Sequence, residues 1–167
     1  MHPGDIQVAE AIDVPEGHPL TQVYNCVVFS QKGARDLPSM LSGGDLDGDL
    51  YTIIWDESLI PERTYPPADY PRQRPLELDR PVTNNDIKDF FIEFMKSDQL
   101  GRISNLHVIM ADRKPEGTCD PDCIKLAELA SIAVDFSKSG IPVRPNLSVF
   151  MEKSKLTELS GQSLRDP

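Results

Sequence analysis

The sequence predicts an α+β fold: a β-rich part over residues 1–60, a proline-rich strap over 61–82 and a helical part over 83–167. Three observations lead there. Residues 6–12 alternate at period two, and 23–29 and 51–55 are rich in β-branched and aromatic side chains, the marks of short strands. Pro61, Pro66, Pro67, Pro71, Pro75 and Pro81 exclude a helix or a central strand from the middle of the chain. Beyond them Ile87, Phe90, Phe91, Phe94 and Met95 recur at helical spacing.

Each element follows from local chemistry. Pro15, Gly17, Gly33, Pro38, Gly43 and Gly44 separate the strand-like runs. A first helix is expected over 84–100, because Thr83 and Asp86 have capping-box spacing and Gly101 suits a C-terminal stop. A second, over 102–112, turns Ile103, Leu106 and Met110 inward. A third begins at Asp120 as N-cap with Pro121 in its first turn, buries Leu126, Leu129, Ala130, Ala133 and Phe136, and stops near Gly140. A short amphipathic stretch is expected over 150–159. Trp55 and the phenylalanine stripe are expected in the core.

With 27 Asp+Glu against 17 Lys+Arg the chain has a formal net charge of −10, which excludes nonspecific nucleic-acid binding through a basic face. Work on nucleic acid would need metal ions or other segments to supply positive charge. Cys26, Cys119 and Cys123 make no disulfide framework, Cys119 and Cys123 lack a second pair at zinc-finger spacing, and no charged-then-apolar leader opens the chain. An intracellular protein is expected, in nucleus or cytoplasm. No apolar run has the length of a membrane span, so no membrane partner is expected.

The densest chemistry is SGGDLDGDLY, residues 42–51. On extended backbone the carboxylates of Asp45, Asp47 and Asp49 would share one side, and Gly48 would let the chain bend so that they converge. Such a cluster repels itself until a divalent cation neutralises it. Magnesium fits a set of hard oxygen donors and leaves positions for water and substrate phosphates. Paired metals at such a site suit in-line nucleotidyl transfer. A calcium EF-hand is disfavoured: counted from Asp45, its sixth position is Leu50 where glycine is required, and its twelfth is Asp56 where glutamate is usual. The bland alternative is a solvated acidic turn.

SGGDLDGDLY followed by WDESLIP resembles the catalytic region of the eukaryotic cellular RNA-dependent RNA polymerases of RNA silencing. HPGD at 2–5, NCVVF at 25–29, QKGAR at 31–35, DFF at 89–91, DQLGRISNLH at 98–107, LAELAS at 126–131, AVD at 133–135 and FMEK at 150–153 are similar to the family in the same order. The resemblance implies that residues 1–60 form a double-psi β-barrel-like half. It also implies that Asp45, Asp47 and Asp49 are catalytic ligands of Mg2+, with Mn2+ as a substitute, in a two-metal addition of ribonucleotides to RNA. His2, Lys32, Arg35, Gly48 and Lys138 are then candidates for contacting substrate or RNA. Implied partners are an RNA template, ribonucleoside triphosphates, a facing upstream barrel of the same polymerase and the silencing machinery that makes small interfering RNA.

Departures from the pattern accompany the matches. Gln7 stands where the family usually has arginine, and only Met1 precedes HPGD here, so the family's Arg-x-Pro pair before it is not included. The expectation is a catalytic fragment, inactive alone. The alternative is a noncatalytic remnant that binds metal or a polymerase partner.

Overall fold

The computed structural model describes residues 1–150 apart from Arg72 and Pro145, together with Glu152. Its helices include α1 (Leu37–Met40), α2 (Asn84–Ser97), α3 (Leu100–Arg113), α4 (Pro121–Val134) and α5 (Phe136–Ser139), with 3₁₀ turns at Pro3–Asp5, Pro19–Gln22, Glu57–Leu59 and Gly117–Cys119, and residues 147–150 are helical. Two compact units divide the chain: one is Pro3–Tyr70, the other holds Met1, His2 and the described residues from Pro71 onward.

The helical unit owes its core to α3 and α4. Ile103, Leu106 and Met110 from α3 meet Cys123, Leu126 and Ala130 from α4, and Val143 and Leu147 complete the cluster. Each fully buried aliphatic side chain contributes about 1.5–3 kcal/mol relative to exposure. At the turn between the helices Asp120 caps α4 by accepting a bond from the Asp122 N–H at 2.8 Å. Lys114 lies 3.3 Å from the largely buried Asp120 carboxylate and 3.6 Å from that of Asp122, so the buried charge is paired. Gly140, left-handed at φ 71°, closes α5, and Asp135 separates α5 from α4.

The predicted first helix divides differently. α2 ends at Ser97, α3 starts at Leu100, and Gly101 lies inside α3. Asp98 breaks the run, with its backbone at ψ 102° and its side chain accepting from the Leu100 N–H at 3.3 Å. The aromatic stripe is also less buried than expected. Phe90 and Phe94 pack on Phe136 with ring centroids 5.8 Å apart, while Ile87, Phe91 and Met95 are exposed. The stretch expected over 150–159 lies outside the described residues except for Phe150 and Glu152.

The start of α2 carries a complete capping box between Thr83 and Asp86, reinforced by Arg80, whose two terminal nitrogens each donate to Asp86 at 2.7 Å. The Arg80 guanidinium first, then Thr83, holds the Asp86 carboxyl well below the usual carboxylate range. A depressed carboxyl stabilises the fold fully above its unfolded-state value of about 3.9, and that contribution is lost as pH falls through the lower folded value. Arg80→Ala therefore moves the Asp86 titration upward, read by carboxyl carbon NMR. An unmoved midpoint would show that Arg80 does not hold it.

The N-terminal unit corrects the expected fold class. Among the described residues there is no strand, sheet or barrel, so the double-psi β-barrel-like half expected over 1–60 is not formed. Period-two alternation marks a backbone suited to a strand, yet a strand exists only where a neighbour completes its hydrogen-bond ladder. The segments 6–12, 23–29 and 51–55 have no such neighbour here. Trp55, expected in the core, is 84% exposed, and only Gly4 and Pro38 are buried in this unit. Turns and side-chain bonds to backbone hold it instead.

Candidate metal centre

The acidic loop is delivered by α1. Asp36 caps that helix, accepting from the Ser39 N–H at 2.9 Å, and Pro38 favours its first turn. The chain then turns through Ser42 at φ 60° and Gly43 at φ 77°, both left-handed. Leu46 follows at φ 69°, a conformation that costs a branched residue about 1–3 kcal/mol, and Gly48 at φ 131° occupies a region open chiefly to glycine.

Those turns, rather than an extended backbone, gather the carboxylates. One oxygen each from Asp45, Asp47 and Asp49 lies within 4.8 Å of the others, and all three residues are exposed. The loop also bonds itself: the Asp45 N–H donates to Asp49 Oδ2 at 2.8 Å and the Asp47 N–H to Asp45 Oδ1 at 3.4 Å. Beneath Gly44 the Tyr51 ring fills the space a side chain would need, and Phe29 packs beside it at 5.4 Å. The buried Tyr51 hydroxyl has the Leu46 backbone close by, at a geometry short of a full hydrogen bond. Burial first, then the Asp49 carboxylate, pushes its pKa up.

Three hard, exposed oxygen donors at this spacing fit a divalent cation that keeps part of its hydration or takes substrate phosphates. A non-helical run over 50–56 follows the loop where an EF-hand would place a helix.

The remaining sequence-predicted residues are distributed over both units. Gly48 is in the loop. Lys32 is exposed on the turn at 31–35, its N–H donating to Ser30 Oγ at 3.1 Å. Arg35 is half-buried, and its guanidinium serves Ser39 Oγ at 2.9 Å, Ser39 O at 2.6 Å and Ala68 O at 2.8 Å. His2 and Lys138 belong to the helical unit, Lys138 in the last turn of α5.

Residues that sequence reasoning did not assign to the site support the loop. Asp5 accepts hydrogen bonds from the Tyr70 hydroxyl and, at 3.3 Å, from Ser42 Oγ. Tyr70 lies in the strap. The signal that could have found the arrangement is the Gly43–Gly44 pair, whose missing side chains make room for Tyr70 and Tyr51.

Comparison with known proteins places the chain in a family. Residues 1–163 match the family described as RNA dependent RNA polymerase. The chain is 49% identical over 142 residues to "Probable RNA-dependent RNA polymerase 2" of Oryza sativa subsp. japonica, covering 85% of this chain and 12% of that protein. It is 46% identical over 142 residues to "RNA-dependent RNA polymerase 6" of Arabidopsis thaliana, covering 84% and 12%. With "RNA-dependent RNA polymerase 1" of Schizosaccharomyces pombe (strain 972 / ATCC 24843) it shares 39% over 176 residues, covering 98% and 14%. The chain thus spans about an eighth of the length of these relatives. A match that runs from HPGD through the acidic loop and the helical unit leaves one assignment: the chain belongs to the RNA-dependent RNA polymerase family.

Proposed function

We propose that this chain is the metal-binding catalytic segment of an RNA-directed RNA polymerase, which extends an RNA 3′-hydroxyl with ribonucleoside triphosphates on an RNA template and releases pyrophosphate. The observation that carries the proposal is the convergence of Asp45, Asp47 and Asp49 within 4.8 Å in a chain of this family.

In this reading the three aspartates hold magnesium, with manganese as a substitute. A divalent ion held by them would supply positive charge that favours ionisation of the attacking hydroxyl and offsets the charge on the phosphates. The residues do the rest of the local work. Their exposure leaves one side of the site open to water and triphosphate. Lys32 is a candidate phosphate contact; His2 and Lys138 stay candidates for contacting substrate or RNA. Arg35 acts through the strap, since its guanidinium is already engaged by Ser39 and Ala68. A net charge of −10 repels RNA, so much of the attraction for template must come from the rest of a complete polymerase, and this chain alone makes no RNA. RNA silencing, with production of small interfering RNA in nucleus or cytoplasm, is the process that fits this reading. No helix among the described residues is long and apolar enough to cross a membrane.

The test is template-dependent incorporation of labelled ribonucleotides by a complete polymerase carrying this segment. Chelation with EDTA stops incorporation and excess Mg2+ restores it. Incorporation that continues under chelation would overturn the proposal.

A further inference from the structure

The root of the acidic loop is fastened by residues far from it in sequence. Asp5 receives the Tyr70 hydroxyl from 65 residues away and the Ser42 hydroxyl from 37 residues away. Ser42 is the residue at which the chain first turns left-handed on its way into the loop. The Tyr70 ring covers Gly43 so closely that a β-carbon there would lie 3.1 Å from Tyr70 Cβ and 3.2 Å from Cγ. Ser42 and Gly43 are therefore held from two directions. The anchor itself is fixed, because Arg35 ties Ala68 to α1 and Gln7 Nε2 bonds both Gly4 O at 2.7 Å and Tyr65 O at 3.4 Å. The tyrosine keeps its proton: burial first, then its bond to Asp5, pushes its pKa well above the ordinary value, so it donates and Asp5 accepts.

We propose that Asp5 and Tyr70 are positioning residues of the metal centre, clamping Ser42 and Gly43 so that the three loop carboxylates stay converged. This inference rests on reading the aspartate triad as a metal site. The physical need is plain. Three like charges held this close repel, and a loop whose root could swing would let them part before a cation arrived. A fixed root raises metal affinity because less order has to be imposed on binding. Neither Asp5 nor Tyr70 belongs to the converged set, so each acts through the backbone of the loop.

The experiment uses a complete polymerase carrying this segment, with two readouts. One is Mn2+ affinity from the free-ion EPR signal without nucleotide. The other is the Mg2+ concentration that half-saturates RNA synthesis. Tyr70→Phe keeps the ring on Gly43 and removes only the hydroxyl, so it weakens Mn2+ binding and raises the half-saturating Mg2+ by about tenfold, the low end for residues that orient metal ligands. Raising Mg2+ recovers the lost synthesis. Asp5→Ala, which strands both hydroxyls, shifts the values at least as far. Asp5→Asn keeps an acceptor for Tyr70 and stays nearer the parent. A lower unfolding midpoint with unchanged metal dependence in Tyr70→Phe and Asp5→Ala would overturn the inference and leave a purely structural staple. Asp47→Asn separates the two levels. If it abolishes Mn2+ binding while Tyr70→Phe does not alter it, the clamp alone is wrong. If Asp47→Asn leaves Mn2+ binding intact, the metal reading of the triad falls, and the clamp with it.

Discussion

Asp47→Asn in a complete polymerase carrying this segment reduces RNA synthesis by about a thousandfold. The substitution replaces one carboxylate oxygen with an amide nitrogen and removes one negative charge, so size and shape are nearly kept while ligand strength is lost. Metal stabilisation of transition-state charge is worth several kcal/mol, and about 4 kcal/mol corresponds to roughly three orders of magnitude in rate. Asp49 Oδ2 and Asp45 Oδ1 accept bonds from loop N–H groups, so their replacement disturbs the loop as well as the ligand set. The Asp47 N–H donates to Asp45 Oδ1, a backbone bond that Asp47→Asn preserves. Because the triad is exposed and self-repelling, losing one charge does not lower the unfolding midpoint of the metal-free protein. Undiminished synthesis would remove the triad from catalysis. Lost synthesis with a lowered midpoint would assign the effect to folding instead.

What could be read in the sequence and what could not divide along the range of the interactions. α4 was legible because its signals are local: Asp120 caps, Pro121 opens, and apolar residues repeat at helical spacing. α2 was legible at its start for the same reason, through Thr83 and Asp86. Its end was misplaced because a glycine at 101 suggested a stop, whereas the Asp98 side chain, bonding forward to Leu100, breaks the helix three residues earlier. In the N-terminal unit alternation carried no information on pairing, and pairing decides whether a strand exists. The same limit applies at the site. The three aspartates lie within five residues and announce themselves, while the Asp5–Tyr70 bond spans 65 residues and leaves no local trace.

Gly4→Ala carries the second largest expected effect, and it tests that long-range support directly. Gly4 is buried, and a methyl group there would overlap the Pro66 carbonyl, with Pro66 C at 2.8 Å and Pro67 Cα at 2.9 Å. All three are backbone atoms, in a proline pair whose φ angles are fixed, so no rotamer change can make room. The strap has to lift. Lifting it strains the Gln7–Tyr65 bond and draws Tyr70 away from Asp5 and Gly43. The cost is about 3 kcal/mol, the upper part of the overpacking range. Two measurements check the expectation. The unfolding midpoint falls, and trypsin cuts after exposed Arg63 faster than in the parent, because the peptide bonds beside the strap must detach to enter a protease cleft. Gly48→Ala provides the contrast. Nothing lies within 4 Å of its added carbon, so it strains the loop through φ alone and leaves the Arg63 cleavage rate as in the parent. Equal cleavage of Gly4→Ala and parent would mean that the strap is not seated against Gly4, and the proposed clamp on the aspartate loop would lose its anchor.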